Sequence, residues 1–304
     1  MYFTKNKIQL LAVPIRWIIH GIFFHRIIQT FFPNFIEKRI NRIANKEFQN
    51  LSGSTLNDRE RKIKIIVSLT TYSPRLSQIH LVISRLMQQT LKPDKIILYY
   101  SDSEEFLITD ELSELLKLGL EIRFVKDIRS HKKYYFAFQD FQDAIVITVD
   151  DDTIYSKKLI QTLFNSYVKF PQCVSAGIVV NYKQNMGILQ SSTTWRQKFF
   201  YGIGDERSIA YGVGGVLYPP NCMPNELYDI KKIKAYAPYT DDLWLKAIEQ
   251  SSGISVVKAK YSDRLFGFFV STINSQNVAL ANINDKKDRN LDSLNKLLPI
   301  YWRK

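Results

Sequence analysis

Cysteine is nearly missing from this 304-residue chain: Cys173 and Cys222 are the only two. So few exclude a disulfide scaffold, their separation is not a zinc spacing, and a reducing compartment suits them. Histidine is scarce too, with only His20, His25, His80 and His131. Long uncharged apolar runs are absent from the N-terminal region, where Lys7 and Arg16 bracket a stretch of about eight residues, well short of the eighteen or so in a membrane span. No small-x-small cleavage site follows it, which disfavours a secretory signal. Internal repeats, zinc-finger spacings and RNA-recognition or helix-turn-helix signatures are lacking. The net charge of +13 therefore points to an anionic membrane or an anionic substrate, and no nucleic acid is expected as a partner.

Apolar residues make up 45% of the chain and aromatics 13%. That composition suffices for one large α/β domain or two small ones and argues against disorder over most of the length. The basic excess is concentrated early: Lys5, Lys7, Arg16, Arg26, Lys38, Arg39, Arg42 and Lys46 face only Glu37 and Glu47. Gln9, Arg16 and His20 share one helical face, among Trp17, Phe23, Phe24, Phe31 and Phe32. Residues 1–48 thus read as a basic amphipathic helical segment lying in a membrane interface; the alternative is a helix packed on the protein's own core. Residues 49–62 are polar and read as a linker, and residues 63–304 as the body.

In the body, strands and helices alternate. Strands are expected at 64–69, 95–100, 121–125 and up to Val149. Helices are expected from Pro74-Arg75 to Gln89, at 110–117 with Gly119 as the stop, from Ser130 to Asp140, and at 156–167. Four βα units imply a parallel sheet with right-handed crossovers. Further strands at 174–180, 212–218 and 254–258 and a helix at 241–250 make one mixed-sheet α/β body.

Residues 144–152 read Ala-Ile-Val-Ile-Thr-Val-Asp-Asp-Asp. A buried strand here delivers three carboxylates beyond its end, where open α/β sheets bind ligands. Adjacent carboxylates repel, so a cation is expected among them, and hard oxygen ligands suit Mg²⁺ or Mn²⁺ with a phosphate-bearing substrate. The alternative is an acidic loop capping the next helix. Leu69, Thr70, Thr71 and Tyr72 follow the first strand, where a base or ribose would meet the sheet, although turn chemistry also suits Thr70 and Thr71. Asp102 follows the second strand, as a nucleoside contact or a solvated loop residue, and Asp127 follows the third. Lys132 and Lys133 open a helix, a favourable place for phosphate; adjacent helical residues point about 100° apart, so at most one reaches it.

Four segments together carry a resemblance: 66–75 (Ile-Val-Ser-Leu-Thr-Thr-Tyr-Ser-Pro-Arg), 127–133 (Asp-Ile-Arg-Ser-His-Lys-Lys), 150–152, and 214–220 (Gly-Gly-Val-Leu-Tyr-Pro-Pro) followed by Thr-Asp-Asp-Leu-Trp at 240–244. Over residues 63–285 the chain resembles the GT-A nucleotide-sugar glycosyltransferases, in particular family 2-like bacterial enzymes of surface-polysaccharide synthesis. The resemblance implies a Rossmann-like, mixed, mainly parallel sheet flanked by helices, an inverting metal-dependent transfer and a UDP-sugar donor. It implies a glycan or lipid-linked acceptor, for capsule or lipopolysaccharide, at the cytoplasmic face of the bacterial inner membrane. By likeness to the DxD motif, Asp152 would hold Mn²⁺ or Mg²⁺ between the phosphates, Asp150 the ribose or a metal-bound water, and Asp151 would tune them. Arg75 belongs to the donor-side set. Gly212, Gly214 and Gly215, which also read as a tight backbone turn, would lie against the donor sugar or acceptor. Asp242 would be the general base and Asp241 an acceptor contact or helix cap. Trp244 would stack on a sugar or belong to the core; Trp195 and Tyr201 are weaker acceptor candidates. The family's late histidine ligand has no counterpart, since no histidine follows the triple aspartate. Two competing readings are a nucleotidyltransferase, for which 70–75 lacks the glycine-rich loop, and a non-catalytic membrane-associated adaptor.

Overall fold

In a computed structural model of the protein, residues 33–53, 55–260, 268–269 and 288–302 are described. Most of the segment expected to lie in a membrane interface is outside them. Helix α1 (Pro33–Gln49) leads to strand β1 (Ile65–Thr70), an apolar, β-branched stretch. A 3-10 turn at Ser73–Arg75, with Pro74 at its start, opens α2 (Leu76–Met87). The end of α1 docks there: Ala44 is buried, Glu47 pairs with Arg85 at 2.6 Å and Phe48 meets the His80 ring edge-on.

Strand β2 (Lys95–Ser101) precedes α3 (Asp110–Lys117). The Thr109 hydroxyl caps α3 by accepting the Leu112 N–H, and Gly119, at φ +100°, ends it. Then come β3 (Leu120–Val125), a 3-10 turn at Arg129–His131, α4 (Lys132–Asp140), β4 (Ile145–Thr148) and β5 (Thr153–Ile154). Ser130, expected to cap α4, sits inside that 3-10 turn, and the helix begins two residues later. Next are α5 (Leu159–Lys169), β6 (Val174–Asn181), a hairpin of β7 (Gln184–Asn185) and β8 (Ile188–Leu189), β9 (Arg196–Gln197) and β10 (Gly202–Ile203). The long β11 (Ser208–Tyr218) begins earlier than expected. The chain finishes with α6 (Ile230–Tyr236), α7 (Asp241–Ser251), β12 (Val256–Lys258), β13 (Phe268–Phe269) and α8 (Arg289–Tyr301).

The principal sheet runs β10-β12-β6-β11-β4-β1-β2-β3, with β9 also paired to β6. Strands β3, β2, β1 and β4 are parallel, β6 and β12 are parallel, and β11 runs antiparallel between β4 and β6. This is the expected Rossmann-like α/β fold with a mixed, mainly parallel sheet. Side chains alternate across it, so Ile66, Tyr99 and Val146 join one core, and Ile65, Val67, Ile145 and Ile147 the other. With both faces covered, ligand access is left to the edges, and the carboxyl ends of β1 and β4 open onto the acidic turn.

Candidate active site

Beyond β4 the chain turns sharply at Asp150–Asp152 before β5. Two interactions fix the turn: the Val149 N–H donates to the Ser68 carbonyl at 3.1 Å, and the Asp150 N–H to the buried Tyr155 hydroxyl at 2.8 Å. The three carboxylates then part. Asp151 points inward, accepting the Thr71 hydroxyl at 2.6 Å and pairing with Arg75. Asp152 pairs with the same guanidinium at 3.1 Å but keeps a quarter of its side chain exposed; its other oxygen has the Thr153 hydroxyl at 3.5 Å. Burial raises both, and Asp152 is pushed up to about 6.

Asp150 turns the other way, to Lys133. The ammonium lies 2.6 Å from Asp150 Oδ1 and 2.9 Å from Asp241 Oδ2. Its backbone carbonyl accepts the Ser68 hydroxyl at 2.5 Å, which ties the start of α4 to β1. Burial would depress Lys133, but the Asp150, Asp241 and Asp242 charges outweigh it and hold the amine well above its usual range. Lys132 is spent elsewhere, on Asp127 at 2.5 Å. Of the two lysines, one reaches the acidic turn, as helical geometry requires.

Asp241 and Asp242 open α7. Burial opposes the charge on Asp241, and the Lys133 ammonium outweighs it, so Asp241 is held low. Asp242 is pushed well above the carboxylate range by burial and then by Asp241. Its Oδ1 accepts the Gly212 N–H at 3.1 Å. That N–H is free of the sheet because β11 bulges: from Tyr211 to Val216 it takes five steps while β6 takes two. A Cβ on Gly212 would stand 2.8 Å from Lys133 Nζ, 3.1 Å from Asp242 Oδ1 and 3.3 Å from Asp150 Oδ1.

Three expected contacts are placed differently. Gly214 and Gly215 face the interior: a Cβ would meet the Ile178 backbone nitrogen at 2.3 Å and the Leu159 side chain at 3.0 Å, respectively. Close packing on the Ile178 backbone explains Gly214, a left-handed backbone at φ +73° explains Gly215, and Gly212 is the one at the carboxylates. Trp244 is fully buried, donates its indole N–H to the Leu227 carbonyl at 3.0 Å and packs on Tyr301, so it is core with no face open to a sugar. Asp102 and Asp127 stand exposed on their loops, Thr70 donates to the Tyr99 carbonyl at 2.7 Å, and the Arg75 guanidinium lies over the Tyr72 ring.

Sequence reasoning singled out Gly212 and Thr71 but missed Tyr155 and His131 as parts of this site. His131 is wholly buried; its Nε2–H donates to the Ala237 carbonyl at 2.8 Å, so Nδ1 accepts from the Tyr134 hydroxyl at 2.7 Å. Burial keeps it neutral. It joins the start of α4 to the loop that carries Asp241.

Among the described residues, no three His, Cys, Asp or Glu side chains converge as a metal cage. A hard cation is ordinarily held by one or two carboxylates and completed by phosphate oxygens and water; here Asp152 already faces Arg75 and Asp150 already faces Lys133, so a metal at either would share that carboxylate with a cationic side chain.

No protein-family model matches the chain, and no curated protein sequence does. Among solved structures it is similar to CMP:2-keto-3-deoxy-manno-octonic acid synthetase complexed with CTP, at TM-score 0.42 and 10% identity over 74% of this chain and 100% of that one. It is similar to 4-diphosphocytidyl-2C-methyl-D-erythritol synthase at TM-score 0.41 and 9% identity, covering 73% and 100%. A third likeness is to glucosyl-3-phosphoglycerate synthase from Mycobacterium tuberculosis with Mn²⁺, UDP and phosphoglyceric acid, at TM-score 0.29 and 15% identity over 38% of this chain and 43% of that one.

Proposed function

We propose that the protein is a glycosyltransferase that moves a sugar from a nucleotide-sugar, a UDP-sugar in the simplest case, to a hydroxyl of a glycan or lipid-linked acceptor in bacterial capsule or lipopolysaccharide synthesis. One observation carries the reading: Asp150, Asp241, Asp242 and the Gly212 N–H gather around Lys133 at the carboxyl end of β4. Asp242, the stronger base of its pair, takes the acceptor hydroxyl proton as the oxygen bonds to the anomeric carbon. The bond from that carbon to the diphosphate breaks with its electron pair, the diphosphate leaves, and the configuration inverts. Lys133 offers positive charge near the departing group, and His131 and Tyr155 keep the loops in place. Mn²⁺ or Mg²⁺, held by Asp152 with Asp150, would neutralise charge on the diphosphate as a Lewis acid. An anionic membrane at the cytoplasmic face of the inner membrane is the proposed location, on the strength of the basic N-terminal residues.

The test is a donor screen scored for UDP release, with and without divalent metal, run beside a screen of nucleoside triphosphates and sugar phosphates scored for pyrophosphate. UDP release that needs an acceptor supports the transferase. Pyrophosphate release alone makes the chain a nucleotidyltransferase, and neither activity, with no nucleotide-induced thermal shift, leaves the adaptor.

A further inference from the structure

Among the described residues, an aromatic loop sits at the β10 edge of the sheet, four strands from β4, which leads into the acidic turn. Phe199 and Phe200 are 66% and 81% exposed, and Tyr201 and Ile203 more than half. They lie where the chain passes from β9 to β10, the edge strand paired with β12. Four large apolar side chains in water forfeit the transfer free energy that burial would give each of them.

Lysines surround them. The Tyr201 ring has Lys169 Nζ at 5.6 Å and Lys260 Nζ at 5.2 Å, and both lysines are exposed. Lys198 donates to the Ile203 carbonyl at 3.2 Å. The acids nearest in sequence, Asp205 and Glu206, lie beyond β10, and Asp205 is already paired with Arg207 at 2.6 Å. We infer that this loop is a membrane contact in its own right: Phe199, Phe200 and Tyr201 enter the interface of an anionic bilayer, with Lys169, Lys198 and Lys260 against the lipid phosphates. Aromatic rings and lysines favour that depth. Lysine is depleted in protein–protein interfaces, and lysines along a sheet edge discourage pairing with a second copy. The inference rests on no part of the transferase reading and uses a surface other than the N-terminal residues.

The experiment uses the full chain with Cys173→Ser, Cys222→Ser and Phe200→Cys, an environment-sensitive fluorophore being attached at position 200. With vesicles of phosphatidylcholine and phosphatidylglycerol, the emission is expected to shift to the blue and to be quenched by nitroxide-labelled lipids; pure phosphatidylcholine should leave it unchanged. The pair Lys169→Glu and Lys260→Glu should weaken vesicle binding about tenfold or more at an unchanged thermal midpoint. Three results overturn the inference. The first is failure to float with anionic vesicles; the second is flotation with the probe still aqueous, which assigns the membrane contact to other residues. The third is shielding of the probe without lipid, which assigns the loop to a second copy if shielding grows with concentration and to another part of the same chain if it does not. UDP release with a soluble acceptor judges the transferase reading separately.

Discussion

Lys133 touches two carboxylates and stands near a third, and its charge sorts them: Asp241 stays ionised while Asp242 is the one pushed up. Asp242→Asn keeps the shape and removes the basicity. Turnover is expected to fall roughly 10²–10⁴-fold with donor affinity kept, whereas Asp241→Asn should act mainly through Lys133. Titrating donor affinity and turnover for each variant decides; an active Asp242→Asn and a dead Asp241→Asn would exchange the roles. A second carboxyl is unusual for another reason. Glu249 is buried in α7, neither of its oxygens accepts a hydrogen bond from a described residue, and burial pushes it from 4.5 up to about 7. A raised pKa favours folding fully below about 4.5, and that contribution is lost as pH rises through about 7. Glu249→Gln should therefore gain stability relative to the parent between pH 5 and 8.5, on the order of 2–3 kcal/mol, in paired denaturant titrations. A constant difference across that range would refute it.

Strand and helix types in the first half were legible because each element carries its own period and its own stops: β-branched runs in β1 and β4, Thr109 and Gly119 around α3. The acidic turn was legible for the same reason, since a strand that ends in aspartates places them. What was not legible depends on partners distant in sequence. The β11 bulge is defined by its mismatch with β6, so nothing local distinguishes Gly212 from Gly214. Trp244 is core because it packs on Tyr301 of α8, an element with Pro299 inside it and no strong signal. The two glycines now give opposite expectations. Gly212→Ala puts a methyl among Lys133, Asp242 and Asp150, so activity should drop at least about tenfold with little change in melting. Gly214→Ala drives a methyl into the Ile178 backbone and should cost about 3 kcal/mol or prevent folding. Melting curves and turnover for both variants test this, and equal melting would reject the packing assignment.

At the scale of the molecule, the boundary between the N-terminal residues and the body matters most. The expected division fell at residue 48, yet Glu47 also reaches Lys157 at 3.1 Å, and Phe48 lies against His80. A chain lacking residues 1–32 should keep its melting temperature and bind anionic vesicles about tenfold more weakly. A chain lacking residues 1–48 should in addition lose about 1–2 kcal/mol, or roughly 2–4 °C, as the α1–α2 contact goes. Calorimetry of the two truncations compares them directly, and identical melting would show that α1 adds nothing to the body.

Lys133 has one further consequence, for folding kinetics. Its carbonyl is held by Ser68 from 65 residues away and its ammonium by Asp150 from 17; Gly212 and Asp242 are 30 apart, and Thr71 and Asp151 are 80 apart. Each link closes a loop whose entropy must be lost before the contact returns anything, and contacts of long sequence separation form late. A chain with its helices and hairpin already formed would still lack the candidate site. In refolding, the thermal or fluorescence response to UDP should return with the slowest phase, after helical signal is complete; a response returning with the helices would mean that the site is a local structure after all.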